Sequence, residues 1–193
     1  STPFRDCPAL KTVTFSPNCT KICERLFQDC TGLTDVTFAD SIASIGEYAF
    51  RNTNIGGESG ELRLPDSCTY LDNGVFQNCA SIKSVTNINV SDDAPGNGNN
   101  VAYNTPFYKC DNITTASFKE GCTGVGSYLF CDNASLTTVN WADSITRIGE
   151  YAFYDTSLGK LTDGVLEFPD NIAKIEDCSF GNCDYITSVT NIG

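Results

Sequence analysis

The side chains of this chain that could do chemistry are its 11 cysteines, its 24 acidic residues and a long series of threonines; histidine is absent. Without histidine no Ser-His-Asp or Cys-His arrangement can be built, and the commonest metal ligand is missing. A glycosidase needs two carboxylates facing each other across a cleft. Asp40 and Glu47 recur as Asp143 and Glu150, and recurrence marks turn and surface residues rather than a unique catalytic pair. The sequence holds no Gly-x4-Gly-Lys-Ser/Thr phosphate loop. Residues 92–99 offer oxygens to a calcium ion but lack the spacing of a calcium loop, so a solvated loop is the expectation. No enzymatic activity, cofactor or resident metal is expected.

Charge narrows the partners. Twelve Lys and Arg against 24 Asp and Glu leave a net charge of −12 in 193 residues, the wrong sign for nucleic acid or an anionic lipid surface. No apolar run reaches the roughly 18 residues a membrane span needs. A hydrophobic share of 40% and 12 Phe are enough for a packed core.

The elements that must position these side chains are written in a repeat. Ile45-Gly46-Glu47-Tyr48-Ala49-Phe50 recurs unchanged as Ile148-Gly149-Glu150-Tyr151-Ala152-Phe153. At an offset of 103, residues 2–56 match 105–159 with 26 of 55 identical; one inserted residue later, 60–89 match 164–193 with 13 of 30 identical. The reading is a single domain, 1–193, made by tandem duplication of about 2–89 into 105–193, joined by an Asn/Gly-rich loop at 90–104. Inside each block a Phe returns at 4, 27, 50 and 76, and again at 107, 130, 153 and 180. Between them runs one grammar, Leu33-x-x-Val36-x-Phe38, Asp40-Ser41-Ile42, Ile45-Gly46-x-x-Ala49-Phe50, a period of 20–29 residues around an L-x-x-L-x-L core. Residues two apart point to one side of a strand, so one such coil cannot bury its apolar side alone; stacked coils make a parallel sheet over a continuous core. Gly46, Gly126 and Gly149 share one position, which predicts a tight bend or a close backbone approach. Two coils depart from the pattern at residues 58–62 and 163–166, where insertions precede the strand.

This grammar resembles the BspA-like, Treponema pallidum-type leucine-rich repeats, and the I-G-E-Y-A-F element is specific to that class. The resemblance covers nearly the whole chain. It implies a right-handed, curved solenoid, α/β-type in its classification but mostly β, here of about eight coils with a parallel concave sheet. It also implies a secreted or cell-surface protein, several relatives acting as adhesins toward host matrix proteins or other microbes.

The cysteines follow the coils. Cys7, Cys30, Cys79, Cys110 and Cys183 lie three residues after the recurring Phe, and Cys19, Cys68 and Cys122 take a slot filled elsewhere by Ile42, Ile145 and Ile172. A slot that accepts Ile is apolar and buried, and free Cys suits it. The Phe+3 slot alternates with Thr53, Asn133 and Thr156, which reads as a turn-facing polar ladder of free thiols rather than disulfide staples.

The x positions of the strands face the concave side and form the candidate binding surface: Thr12, Thr14, Thr34, Asp35, Thr37, Thr86, Thr115, Ser117, Thr137, Thr138, Asn140, Thr187 and Thr190. Threonine suits strands by propensity alone; functionally, such a carpet is a hydrogen-bonding platform for a protein or glycan ligand on a host or neighbouring cell. The alternative is a structural stalk or spacer. End-to-end self-association is a further expectation, because both ends of the chain expose coil surfaces.

Overall fold

A computed structural model describes residues 2–91 and 105–192; most of the expected joining loop, and with it the calcium reading of 92–99, lies outside them. Eight strands carry the L-x-x-L-x-L cores: β1 (Thr12–Thr14), β3 (Asp35–Thr37), β5 (Glu61–Arg63), β7 (Ser84–Ile88), β8 (Thr115–Phe118), β10 (Thr138–Asn140), β12 (Val165–Glu167) and β14 (Ser188–Thr190). Six two-residue strands form the opposite edge of the coils: β2 (Lys21–Ile22), β4 (Ser44–Ile45), β6 (Tyr70–Leu71), β9 (Gly124–Val125), β11 (Arg147–Ile148) and β13 (Lys174–Ile175). Among the described residues every pairing is parallel, between corresponding residues of neighbouring coils, as in Thr12 with Asp35 and Thr138 with Thr115. The architecture is a leucine-rich-repeat solenoid of eight strand-bearing coils, as the Phe recurrence predicts. Described coils contain strands and turns without helix, so the α half of the expected class is absent from them.

The core is organised around one column. The recurring phenylalanines 4, 27, 50, 76, 107, 130, 153 and 180 stack ring on ring, with centroids 5.2–5.9 Å apart along the whole row. Phe50, Phe76, Phe107, Phe130 and Phe153 are fully buried. Offset-stacked rings at this distance add to the area they bury.

The turn around each Phe explains why acidic and amide residues cluster there. The residue two after the Phe has positive φ in all eight coils: Asp6, Asp29, Asn52, Asn78, Lys109, Asp132, Asp155 and Asn182. Seven of these eight are Asp or Asn, the side chains that tolerate the left-handed region best. A Cβ on Gly46 would lie 2.8 Å from the Glu24 amide nitrogen, and on Gly149 2.5 Å from that of Ser127, so the recurring glycine is the close approach its position predicts.

Coil four takes a short cut. Its register runs Ser84 to Thr115 and Val85 to Ala116, then jumps to Ile88 against Phe118, with Asn87 at positive φ absorbing the jump. Ile88 thus stands where other coils place a corner aromatic. The Val90 carbonyl accepts the Gly126 amide at 2.9 Å, as Ile22 accepts from Gly46 and Val125 from Gly149. Where the neighbouring coils carry Asp66-Ser67-Cys68 and Glu120-Gly121-Cys122, coil four passes directly from Ile88 to Val90.

The strand face is not one sheet. β5, β7, β8 and β10 form a continuous four-stranded sheet, while β1–β3 and β12–β14 are separate pairs. The two breaks fall between β3 and β5 and between β10 and β12, where the coils carry three and four extra residues within the stretches 56–60 and 159–164. Within the continuous sheet Val85, Ile88, Ala116 and Phe118 are buried; at the breaks one wall, Val36, Phe38, Val139 and Trp141, is half-buried, while the other, Leu62, Leu64, Leu166 and Phe168, is buried. The Phe column runs past both breaks undisturbed, at 5.6 Å for Phe50–Phe76 and 5.3 Å for Phe153–Phe180.

Candidate functional site: the strand face and its two clefts

The threonine carpet lies at the surface as expected. Thr12, Thr14, Asp35, Thr37, Asn140, Thr187 and Thr190 are exposed, and Thr34, Thr86, Thr115, Ser117, Thr137 and Thr138 are half-buried. Alternation within each strand does this: in β8, Ala116 and Phe118 point into the core while Thr115 and Ser117 point out. Part of the hydroxyl capacity is spent internally. Thr34 and Thr137 donate to the carbonyls of Lys11 and Thr114 at 3.4 Å, Thr86 to Glu61 at 3.0 Å, and Asn140 to Ser117 at 2.9 Å.

Each break in the sheet opens a cleft on this face. The first, about 360 Å³, is lined by Thr34, Asp35, Val36 and Phe38 on one wall and by Glu61, Leu62 and Arg63 on the other, with Ile55, Gly56 and Ser59 of the insertion between. The second, about 830 Å³, is its duplicate: Thr137, Thr138, Val139 and Trp141 face Val165, Leu166 and Glu167, with Leu158, Gly159 and Thr162 between. The second also reaches Asp143, Asp170, Asn171 and Asn191. Both volumes fall in the range of ordinary ligand clefts.

The floors differ in charge. In the first block Arg63 reaches across to two carboxylates, Nη1 to Asp40 at 3.4 Å and Nη2 to Asp66 at 2.6 Å. Asn87 donates to Asp66 at 2.8 Å and Lys119 lies 3.4 Å from it; the amide of Asn87, then Arg63 and Lys119, hold the Asp66 carboxyl below its ordinary range. The duplicate positions are Asp143 and Asp170, with Glu167 where Arg63 stands. None of these three carries an ion pair among the described residues. Trp141 replaces Phe38; it packs against Phe118 with ring centroids 5.8 Å apart and Phe168 at 5.7 Å.

The recurrent carboxylates weighed for catalysis do not converge. Glu47 is paired with Arg25 at 3.1 Å on the convex turns, and Asp40 is held by Arg63. Tyr48 lies under the guanidinium groups of Arg25 and Arg51, and Tyr128 stacks on Tyr151 at 5.3 Å, so the tyrosines act as spacers away from the strand face.

None of the 11 cysteines forms a disulfide, and seven are buried. The structure corrects the turn-facing reading of the Phe+3 slot: it is interior. Cys30 donates to the Phe4 carbonyl at 2.9 Å, Cys79 to Phe50 at 3.1 Å, Cys110 to Phe76 at 2.9 Å and Cys183 to Phe153 at 3.2 Å. Asn133 does the same to Phe107 at 3.1 Å. Thr53 and Thr156 donate instead to the Phe of their own coil, Phe50 at 2.8 Å and Phe153 at 3.0 Å, so the slot wants a short donor that satisfies a buried Phe carbonyl, which thiol, hydroxyl and amide all supply. Burial pushes the Cys79 thiol up to about 11 and the Cys131 thiol up to about 12, so these groups are not nucleophiles at neutral pH.

Sequence reasoning found the face and missed the clefts. Their signals were present: the insertions that delay β5 and β12, and the exchange of Arg63 for Glu167.

Coils of this length, with a strand face and an aromatic column, define a leucine-rich-repeat solenoid. The family description "BspA type leucine rich repeat region" matches residues 1–94 and 160–192, in six copies. The chain belongs to this family. No curated protein matches it. Among solved structures, a leucine-rich repeat protein from Bacteroides ovatus superposes with a TM-score of 0.70 at 23% identity, over 96% of this chain and 44% of that one. One from Eubacterium ventriosum gives 0.63 at 18% identity, over 95% and 45%. The T. pallidum leucine-rich repeat protein gives 0.59 at 18% identity, over 79% and 66%. At these identities the likeness is one of fold. The chain spans less than half the length of the first of these relatives.

Proposed function

We propose that this chain is a non-enzymatic binding module displayed outside the cell, secreted or on the cell surface. It would use the strand face to hold a protein or glycan on a host or neighbouring cell, in the manner of an adhesin. The observation that carries this reading is the strand face itself, which presents hydroxyls and amides in six of its eight coils and is opened by two clefts in an otherwise well-packed solenoid. Membership of the BspA-type family supports it, because leucine-rich repeats generally serve as binding scaffolds. The face has few aromatic and Arg anchors of the kind that dominate tight interfaces, so one copy binds modestly and many copies on a surface gain by avidity.

The test is retention of the chain, immobilised at high density, by a panel of purified matrix proteins and by a glycan array. Saturable retention is expected for at least one ligand, and Thr115→Glu with Thr138→Glu should abolish it while leaving thermal unfolding unchanged. Retention by none of them, or retention indifferent to those substitutions, would leave the spacer reading in its place.

A further inference from the structure

The second cleft is the first one with its arginine taken out. In the first block a guanidinium lies between two carboxylates, each nitrogen of its fork on a different aspartate. With the arginine in place, neither Asp40 nor Asp66 lines the cleft. In the second block the two aspartates are kept as Asp143 and Asp170, the arginine has become Glu167, and the cleft more than doubles, from about 360 to about 830 Å³, with both aspartates now in its wall. The first block therefore shows, inside the same molecule, what this pair of aspartates holds. We propose that the second cleft is a subsite for an arginine side chain of a partner protein, received between Asp143, Glu167 and Asp170 and bounded by the Trp141 ring. The proposal rests on the reading of the strand face as a binding surface.

Three features favour a guanidinium over other cations. In the first block each nitrogen of the planar fork takes a different aspartate, an arrangement that suits arginine, whereas an ammonium is a point charge. The Phe38 position has become Trp141, a larger apolar ring lining the cleft, against which a weakly hydrated guanidinium packs more readily than an ammonium. A small metal ion is the poorer fit, because among the described residues no group of three or more Asp, Glu, Cys or His closes on one point. The sign of the whole molecule, net −12, draws basic segments toward this face. The carboxylates are exposed, so the affinity for one arginine is weak, in the millimolar range, and is raised in a partner by contacts along the threonine rows.

Trp141 is the only tryptophan, and its fluorescence reports on this cleft directly. The whole chain is titrated with acetyl-Gly-Arg-Gly-amide, with the same peptide carrying citrulline, and with the lysine peptide. A saturable change is expected with arginine, at least tenfold weaker with citrulline and several-fold weaker with lysine. Glu167→Arg, which refills the cleft as in the first block, should abolish the response. Glu167→Gln and Asp170→Asn should each weaken it several-fold, without change in thermal unfolding. Arg63→Glu should open a second site, raising the calorimetric stoichiometry from one peptide to two; its unfolding curve is recorded alongside. Absence of saturation, equal binding of citrulline, or a response that survives Glu167→Arg would overturn the proposal, and equal binding of lysine would overturn the guanidinium assignment. Ligand retention that persists in Glu167→Arg while no arginine response exists removes this subsite and leaves the binding role of the face standing.

Discussion

The two clefts stand 103 residues apart in a duplicated chain, and they share a scaffold without sharing an interior. Behind each lies the same Phe column; in front of each, an insertion delays the third strand of the block and parts the sheet. What fills the gap differs by a few side chains: Arg63, Phe38 and Glu61 in one, Glu167, Trp141 and Val165 in the other. The first closes on itself through ion pairs and the second stays open. The lesson is that the column and the strand face are separable. The column sets the rise from coil to coil, and the face can split and change charge without disturbing it.

The strongest test of that separation is the column. Phe50→Ala and Phe153→Ala each remove a fully buried ring with stacked neighbours on both sides, and each should cost about 3–5 kcal/mol in denaturant unfolding. The two losses should agree despite the different clefts in front of them. A large disparity would mean that the clefts reach the column. Phe4, at 50% exposure and stacked on one side only, should cost far less.

Next comes the close approach between coils. Gly149→Ala puts a methyl 2.5 Å from the Ser127 nitrogen, and Gly46→Ala puts one 2.8 Å from that of Glu24. Overpacking against backbone is expected to destabilise by about 1–3 kcal/mol, more at Gly149 than at Gly46. Equal melting of both variants with the parent would show that the coils can separate locally.

The thiols give a smaller effect with a defined pH window. Cys79 is held neutral by burial, its pKa raised from 9.0 to about 11. Above the unfolded value the unfolded chain releases this proton while the folded chain keeps it. Stability from this group is therefore intact below pH 9 and is lost as pH rises toward 11. Thermal unfolding should weaken over that window, and Cys79→Ser should flatten the slope. At pH 8 the exposed Cys23 and Cys178 should react first with a thiol reagent, and denaturant without reductant should release a count close to 11.

The ends differ from the middle in the same way that a cleft differs from a closed sheet. β1 pairs only with β3 and β14 only with β12; Phe4 at one end, and Val189 and Ile192 at the other, are 40–62% exposed. Open parallel edges with apolar rims tend to pair. Light scattering over a hundredfold concentration range should show head-to-tail association, and Ile192→Lys should suppress it.

Much of this was legible in the residues. The Phe period gave the coil number, the interchange of Cys with Ile gave the buried slots, and the recurring glycine gave the coil approach. The polarity of the Phe+3 slot was misread, because Thr and Asn beside Cys suggest solvent, when the group they satisfy is a buried Phe carbonyl. The left-handed residue two after each Phe was missed, although an Asp/Asn preference broken only by Lys109 marks it. The short cut in coil four was not visible, since a register jump depends on what Phe118 presents from the next coil. The clefts were hidden for a related reason. An insertion is visible in sequence, but whether it bulges outward or parts two strands is decided by packing.

The smallest expected effect carries the comparison furthest. Exposed ion pairs contribute little to stability, so exchanging Arg63 and Glu167 between the blocks should scarcely move the unfolding curve. Glu167→Arg replaces a negative charge with a positive one beside Asp143 and Asp170 and should form ion pairs with them, so its melting temperature should rise slightly. Arg63→Glu should lower it slightly by placing a third carboxylate beside Asp40 and Asp66. Both shifts should shrink as salt is raised, because the pairs are solvent-facing. A stabilisation by Glu167→Arg that persists in high salt would mean that the cleft gains by packing, as a void being filled. A loss of stability would mean that the second cleft is shaped around something other than the arginine its duplicate holds.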